Sequence, residues 1–155
     1  MTVAPQRPIL AAPDVDAAVA ALRARGLRIS AARRQVLEAL FAAGRPVSAD
    51  AIASGLGGRR SPVDPASVYG NLEVLEDLGL VRHVHLGHGP ALWMLADRAR
   101  SEFLRCERCG ASEAVEPSVL AEARAAIRAA TGYDARFTHF PVVGLCAGCQ
   151  REATG

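Results

Sequence analysis

Two Cys-x-x-Cys pairs constrain this 155-residue chain more than any other feature of its sequence. They contain all four of its cysteines, and residues 110–145 separate them. A tight turn between two thiols directs both sulfur atoms to one point, and two such turns brought together form a tetrahedral thiolate shell suited to zinc. We therefore predict a closed structural site for one Zn²⁺ per chain, with the ligands Cys106, Cys109, Cys146 and Cys149.

Two other chemistries use paired cysteines. Two disulfides need an oxidising compartment, and a thioredoxin-like redox pair needs a strand-to-helix setting. The stretch MTVAPQRPILAAPDVD lacks the cationic and long apolar segments of a signal peptide, and no later stretch is long enough to span a membrane. The pattern therefore favours zinc, in a cytoplasmic protein without a membrane partner.

Positive charge is concentrated in the N-terminal part of the chain, although the formal net charge is only +2. Eight arginines lie between residues 23 and 60, against two acidic residues, whereas the two signs balance after residue 90. A local basic excess indicates nucleic acid binding, and an aromatic content of 5% argues against a base-stacking platform for single strands. No acid–base pair, nucleophile elbow or phosphate loop is evident, so we do not expect an enzyme. A zinc-ribbon module for protein interaction remains an alternative.

Helix start and stop signals organise residues 14–95, after a loose proline-containing tail over residues 1–13. Side chains that cap helix N-termini precede four helical patterns, and glycines end three of them. The caps are Asp14, Ser30, Ser48 and Asp64, and the glycines are Gly26, Gly44 and Gly79. The stretch LVRHVHLGHGPALWML then predicts a hairpin around a Gly-His-Gly-Pro turn. Helices followed by a hairpin are the plan of a winged helix-turn-helix domain, here with the recognition helix over residues 64–78 and the hairpin as wing. A generic small helical domain with a hairpin is the alternative.

The predicted recognition helix carries polar side chains near its N-terminus, while its acidic residues lie further along, where a phosphate backbone would repel them. Small or planar hydrogen-bonding groups reach base edges and phosphates. The residues predicted to contact DNA are Ser67, Tyr69 and Asn71 on this helix, and the arginines Arg28, Arg33, Arg34, Arg59 and Arg60.

Residues 96–102 predict a hinge, and residues 103–151 predict a zinc-containing α/β domain. Strand-like runs FLRC and ASEAVE, a helix in SVLAEARAAIRAATG and a last strand in RFTHFPVVGL surround the cysteine pairs. So few elements cannot bury their own faces, and a second copy that continues the sheet across a two-fold axis would solve that problem. The predicted fold class is α+β, with a winged-helix domain followed by an α/β dimerisation domain.

The stretches LRARGLRISAARRQVLEAL, PVSADAIASGL and ASVYGNLEVLEDLGLV and the pairs CERCG and CAGC resemble the ferric uptake regulator family of bacterial metal-responsive repressors. The resemblance runs from about Ala18 to Cys149. It implies a winged-helix DNA-binding domain, a hinge and a dimerisation domain with a four-cysteine zinc site, in a cytoplasmic homodimer on palindromic double-stranded operators. It also places Tyr69 where family members have a base-contacting tyrosine.

Four departures from the family pattern concern DNA reading and sensing. Gly70 stands where the family commonly has arginine, and a glycine costs a helix about 1 kcal/mol relative to alanine. The run ADRARSEFLRC lacks the histidines that usually bind the regulatory metal. Met94 stands about where an acidic ligand is often found, and Arg45 where some members have histidine. The sequence therefore implies an atypical sensory site.

The remaining nitrogen and oxygen donors suggest a rebuilt site for a second, regulatory divalent metal. Zinc is the first expectation, as in the zinc-uptake-regulator type, and iron and nickel are alternatives. Under the other interpretation the histidines are surface, turn or hydrogen-bonded strand residues, and the protein senses peroxide, redox state or another ligand with structural zinc alone. The candidate regulatory ligands are His83, His85, His88, Glu102 and His139.

Overall fold

The structure, a computed structural model, describes residues 7–98 and 101–153. These residues form two compact units. The first comprises the described residues up to His83 together with Ala91–Asp97, and the second comprises Val84–Pro90 and the described residues from Arg98 onward. The boundary after Asp97 lies in the segment predicted as a hinge, of which residues 99–100 lie outside the described residues. The turn Val84–Pro90, predicted as part of the first domain, groups with the second unit.

The first unit contains four α-helices and a small sheet. The strands follow the order β1-β3-β2, and β1 pairs antiparallel with β3. The sequence did not predict β1, because two residues give no alternating pattern. The elements are α1 (Val15–Ala24), α2 (Ala31–Ala43), β1 (Val47–Ser48), α3 (Ala49–Ala53), a helical turn at Gly55–Gly58, α4 (Pro65–Asp77), β2 (Val81–Val84) and β3 (Leu92–Leu95).

All four predicted helix caps are present. Each cap side chain accepts a hydrogen bond from the backbone N–H three residues later: Ala17 at 2.8 Å, Arg33 and Ala51 at 3.1 Å and Ser67 at 2.9 Å. A cap of this kind satisfies a backbone donor that has no partner inside the helix, and it stabilises a helix by about 1 kcal/mol. The starts of α1 to α4 are thus encoded locally.

Apolar side chains at helical spacing form one core in the first unit. Leu22 of α1, Leu37 of α2 and Leu72 of α4 are each 0% exposed. Burial of one such side chain contributes about 1.5–3 kcal/mol relative to exposure. The core therefore fixes how α4 packs against α2 and α3, and how α1 packs against α2.

The segment before α1 is tied to the first unit, in contrast to the loose tail predicted from its prolines. The Leu10 N–H donates to the Gly79 carbonyl at 2.9 Å, and the N–H of the buried Ala12 donates to Asp97 at 3.2 Å. Arg7 forms an ion pair with Asp77. Two backbone donors with fixed acceptors hold this segment, while residues 1–6 of the predicted tail lie outside the described residues.

The second unit is a three-stranded sheet with two helices. The strand order is β5-β4-β6, in which β4 pairs antiparallel with β5 and parallel with β6. A 3₁₀ turn at Pro117–Leu120 leads into the longer helix, which has no buried residue. The elements are β4 (Glu102–Cys106), β5 (Ser112–Val115), α5 (Ala121–Thr131), β6 (Val142–Gly144) and α6 (Ala147–Ala153).

One prediction for the second unit was wrong in extent, and one helix was missed. The last strand, predicted over residues 136–145, is confined to Val142–Gly144. Pro141, which has no N–H to donate to a sheet, directly precedes it. The helix α6 was not predicted, because the second cysteine pair occupies its first turn. No helix in residues 7–98 and 101–153 combines the length and apolar character that crossing a bilayer requires.

Two glycines in and after α4 should respond oppositely to replacement by alanine. A methyl group at Gly70 would meet no atom within 4 Å, whereas at Gly79 it would lie 2.1 Å from the Pro8 carbonyl oxygen with a backbone φ of +78°. We expect Gly70→Ala to raise the free energy of unfolding by about 1 kcal/mol. Gly79→Ala should lower it by about 1–3 kcal/mol. Urea unfolding of both variants checks this, and equal effects of the two substitutions would contradict it.

Candidate metal centre and nucleic-acid interface

The four cysteines converge on one point in the second unit. Their sulfur atoms all lie within 4.8 Å of one another, and the Sγ atoms of Cys109 and Cys146 are 3.9 Å apart. A tetrahedron of thiolates around zinc at about 2.3 Å has edges of about 3.8 Å. The four thiols form no disulfide, so all four sulfur atoms are available as ligands. The donor set and its spacing fit a structural Zn²⁺.

The parallel pairing of β4 with β6 brings the two cysteine pairs together. Cys106, the last residue of β4, lies opposite Gly144, the last residue of β6. The Glu107 N–H donates to the Gly144 carbonyl at 2.9 Å and ties the first turn to the end of β6. Because the two strands are parallel, both end on the same side of the sheet. Cys146, two residues after β6, therefore comes close to Cys106 at the end of β4.

Two of the thiols differ in acidity before metal binds. Backbone N–H groups of Cys109 and Cys146 point at the Cys106 sulfur and lower the pKa of this thiol to about 6. The Cys146 N–H lies 3.4 Å from that sulfur. Burial, followed by hydrogen bonds to the neighbouring thiols, raises the pKa of Cys149 to about 12. Zinc binding near neutral pH therefore starts from a Cys106 thiolate and displaces a proton from Cys149.

Two of the predicted regulatory histidines meet within the second unit. The His85 N–H donates to the His139 carbonyl at 3.0 Å, and their ring centroids are 4.9 Å apart in an edge-to-face arrangement. Phe140 packs on both rings. Both histidines are half-buried. Two imidazoles therefore lie close together, and both contact the ring of Phe140.

The other predicted regulatory ligands have different surroundings. His83, in the first unit, places Nδ1 2.6 Å from Glu76 Oε1 and packs near Trp93. His88 is exposed in the turn after β2. In the described parts of the chain, no cluster of three or more possible metal ligands includes His88 or Glu102.

Glu102 is buried and neutralised by an arginine. Its side chain is 4% exposed, and both carboxylate oxygens accept hydrogen bonds from Arg124 Nη1 at 2.8 and 2.9 Å. Arg124 lies four residues after Leu120 and three before Ile127, hence on the apolar stripe of α5. A cation on an apolar stripe requires an acidic partner, and this spacing is the signal that the sequence reasoning missed.

The predicted DNA-contacting side chains of α4 divide between surface and interior. Tyr69 is 44% exposed, and Gly70 beside it is exposed as well. Ser67 is half-buried. Asn71 is only 8% exposed, because it lies three residues after Val68 and four before Leu75, on the buried face of the helix. Its amide is thus turned away from any base edge.

The predicted arginines also differ in whether their charge is compensated. Arg34 pairs with Asp16 at 2.9 Å and with Glu38 at 3.2 Å, and these carboxylates, Asp16 first, raise the pKa of its guanidinium. Arg60 pairs with Glu38 at 3.4 Å.

The remaining three arginines form no ion pair among the residues that the structure describes. Arg59 donates from Nε to the Leu56 carbonyl at 3.0 Å, Arg33 hydrogen-bonds Asn71, and Arg28 is exposed. Their charge therefore stays available to a partner.

Comparison with known proteins identifies the family to which the chain belongs. The model of the ferric uptake regulator family matches residues 24–139. The peroxide-responsive repressor PerR of Staphylococcus epidermidis is 24% identical over 139 residues, which cover 90% of this chain and 92% of the relative.

Two solved structures share the fold. The ferric uptake regulator Fur of Helicobacter pylori has a TM-score of 0.65 at 17% identity, covering 88% of this chain and 91% of that one. A zinc uptake regulator complexed with zinc and DNA has a TM-score of 0.54 at 23% identity, covering 91% of this chain and 95% of that one. These likenesses confirm the predicted fold class.

The acidity of the thiols predicts how zinc binding depends on pH. At neutral pH at least one proton, that of Cys149, leaves for each zinc bound, so affinity should fall at least about tenfold for each pH unit of acidification. Below about pH 6, protonation of Cys106 should steepen the dependence. Competition with a chromophoric chelator between pH 8 and 5 measures this. A pH-independent affinity would contradict it.

Substitutions test which residues hold this zinc. We expect about one zinc per chain in the wild type and less in Cys109→Ser, because a three-thiolate shell is incomplete. Glu107→Gln, between the two ligands of the first pair, should keep the full content as the matched control. Elemental analysis of the purified proteins distinguishes the two, and equal zinc contents would contradict the site.

Proposed function

Because the chain belongs to the ferric uptake regulator family, we propose that it is a cytoplasmic transcriptional repressor that binds palindromic double-stranded operators as a homodimer. One structural zinc per chain, held by the four cysteines, would stabilise its second unit. The observation that carries the proposal is α4, a capped helix whose N-terminal half exposes Tyr69 in a compact helical unit with a small sheet.

The N-terminal half of α4 is suited to enter the major groove. Tyr69 presents an aromatic ring and a hydroxyl to base edges, whereas Glu73 and Asp77 are exposed further along and would be repelled by phosphates. Arg28 and Arg33 would contact the backbone, since no carboxylate of the described residues pairs with them. Gly70 adds no side chain to the groove, so Tyr69 carries more of the base reading here than in relatives with arginine at this place.

Exposed apolar side chains in the second unit support a homodimer. The helix α5 has no buried residue, and β5 and β6 are the outer strands of the sheet. A second copy would cover this surface, and a two-fold dimer matches a palindromic operator. The large apolar side chains exposed in this unit are Val119, Tyr133, Phe140, Val143 and Leu145.

We also propose that a second divalent metal, zinc first and iron or nickel as alternatives, regulates DNA affinity. The side-by-side imidazoles of His85 and His139 support it, and His83 lies two residues before His85 in the chain. The Helicobacter pylori relative has three functional metal binding sites. Glu102, neutralised by Arg124, would contribute only if that ion pair opened, and the exposed His88 only if the turn folded inward.

A second candidate function is peroxide sensing with structural zinc alone. The match to a peroxide-responsive repressor over 90% of the chain favours it. In this case the regulating event would be oxidation of a side chain, and operator affinity would not respond to added metal.

The DNA-binding proposal predicts a specific loss at Tyr69. Operator sequences would first be selected from a random duplex library with the zinc-loaded protein. Tyr69→Ala should then weaken binding to the selected operator by about 1–3 kcal/mol and relax its sequence preference. Glu73→Ala on the same helix should not weaken it, because removal of a negative charge lowers repulsion from phosphates. Fluorescence anisotropy measures both, and an unchanged affinity of Tyr69→Ala would contradict the assignment of α4.

The metal proposal predicts two metal equivalents per chain, of which one depends on histidines. His85→Ala and His139→Ala should each lose the second equivalent and the metal response of operator affinity, while the four-cysteine zinc stays. His88→Ala should keep both equivalents. Calorimetric titration with zinc, followed by anisotropy, measures this. A single equivalent in the wild type, with operator affinity indifferent to added metal, would favour the peroxide-sensing alternative.

A further inference from the structure

Asn71 is the one buried uncharged polar side chain of the first unit's core among the described residues. Its Oδ1 accepts a hydrogen bond from Arg33 Nε at 2.8 Å, and its Nδ2 donates to the Ser67 carbonyl at 2.7 Å. The partners fix this orientation of the amide, because Arg33 can only donate and a carbonyl can only accept. The amide thus joins α4 to the first turn of α2.

Arg33 is held at two points by neutral acceptors. Besides Asn71, the Arg28 carbonyl accepts from its Nη1 at 2.6 Å. A guanidinium has five N–H donors, so the others remain for a ligand. The first turn of α2 contains no acidic residue, and Arg33 forms no ion pair within residues 7–98 and 101–153. Its full positive charge is therefore fixed in place without a counter-ion.

The neighbouring Arg34 shows the opposite arrangement. Two carboxylates, Asp16 and Glu38, lie within 3.2 Å of its guanidinium. Such a cation is already neutralised and gains little from a phosphate. The two adjacent arginines of α2 are thus a matched pair, one compensated and one uncompensated.

We propose that Asn71 is a positioning residue of the DNA interface: it holds Arg33 rigidly against α4 so that the guanidinium binds one backbone phosphate. This inference rests on the proposed DNA-binding function. Asn71 touches no DNA itself. It contributes by removing the rotamer freedom that a long arginine side chain would otherwise lose on binding, and by fixing the phosphate contact relative to the helix that carries Tyr69.

The salt dependence of binding to a labelled mixed-sequence DNA duplex tests the inference. Each neutralised phosphate contributes about 0.9 to the slope of log affinity against log salt concentration. Arg33→Gln should lower the slope by about 0.9 per chain, whereas Arg34→Gln should leave it unchanged. Asn71→Asp should lower it as Arg33→Gln does, because a carboxylate keeps the bond to Nε but neutralises the charge.

A double-mutant cycle separates positioning from a general structural role. Introduced alone, Asn71→Ala should weaken binding to the duplex. Added to Arg33→Gln, it should have no further effect on the affinity, since Asn71 acts through Arg33. Equal losses in both backgrounds, or a slope unchanged in Arg33→Gln, would overturn the inference. A wild type that binds no duplex DNA at low salt would instead overturn the proposed function. Circular dichroism of every variant verifies folding. If Asn71→Ala does not fold, the salt slopes of Arg33→Gln and Asn71→Asp test the inference instead.

Discussion

The convergence of four thiols is the interaction on which the second unit depends. Its buried apolar side chains are few, and α5 contains no buried residue. A sheet this small gains too little from apolar burial to offset the entropy of ordering its chain. A metal that binds only the folded arrangement adds its binding free energy to folding. In the proposed homodimer, zinc and a partner chain would therefore take the place that a hydrophobic core has in the first unit.

The first unit shows which parts of a fold are written locally in a sequence. Caps at Asp14, Ser30, Ser48 and Asp64, and leucines at helical spacing, predicted α1 to α4 because each signal acts within one turn. The convergence of the four cysteines was equally predictable, since the spacing of a Cys-x-x-Cys pair already favours directing both sulfur atoms to one point. The assignment of the turn Val84–Pro90 to the second unit was not, because the hydrogen bond between His85 and His139 joins residues far apart in the chain.

Two polar residues on the apolar stripes of their helices show what the sequence reasoning did not use. Asn71 was judged by its chemistry rather than by its position on the helical period, and Arg124 was given no role. The spacing from Val68 to Leu75 places Asn71 inward, and the spacing from Leu120 to Ile127 does the same for Arg124. Such residues persist in a core only when hydrogen-bonded, so their partners, Arg33 and Glu102, are part of the same prediction. Ligands of a regulatory metal cannot be identified in this way, because an imidazole packs, hydrogen-bonds or binds metal through the same atoms.

The segment before α1 is hydrogen-bonded to two other parts of the first unit. Leu10 is fastened to Gly79, directly behind α4, and Ala12 to Asp97, directly behind β3. The segment therefore joins the place where the chain leaves α4 to the place where it leaves the small sheet. A change in this segment would therefore act on the end of α4 and on the end of β3 together, so the segment couples the helix that carries Tyr69 to the small sheet.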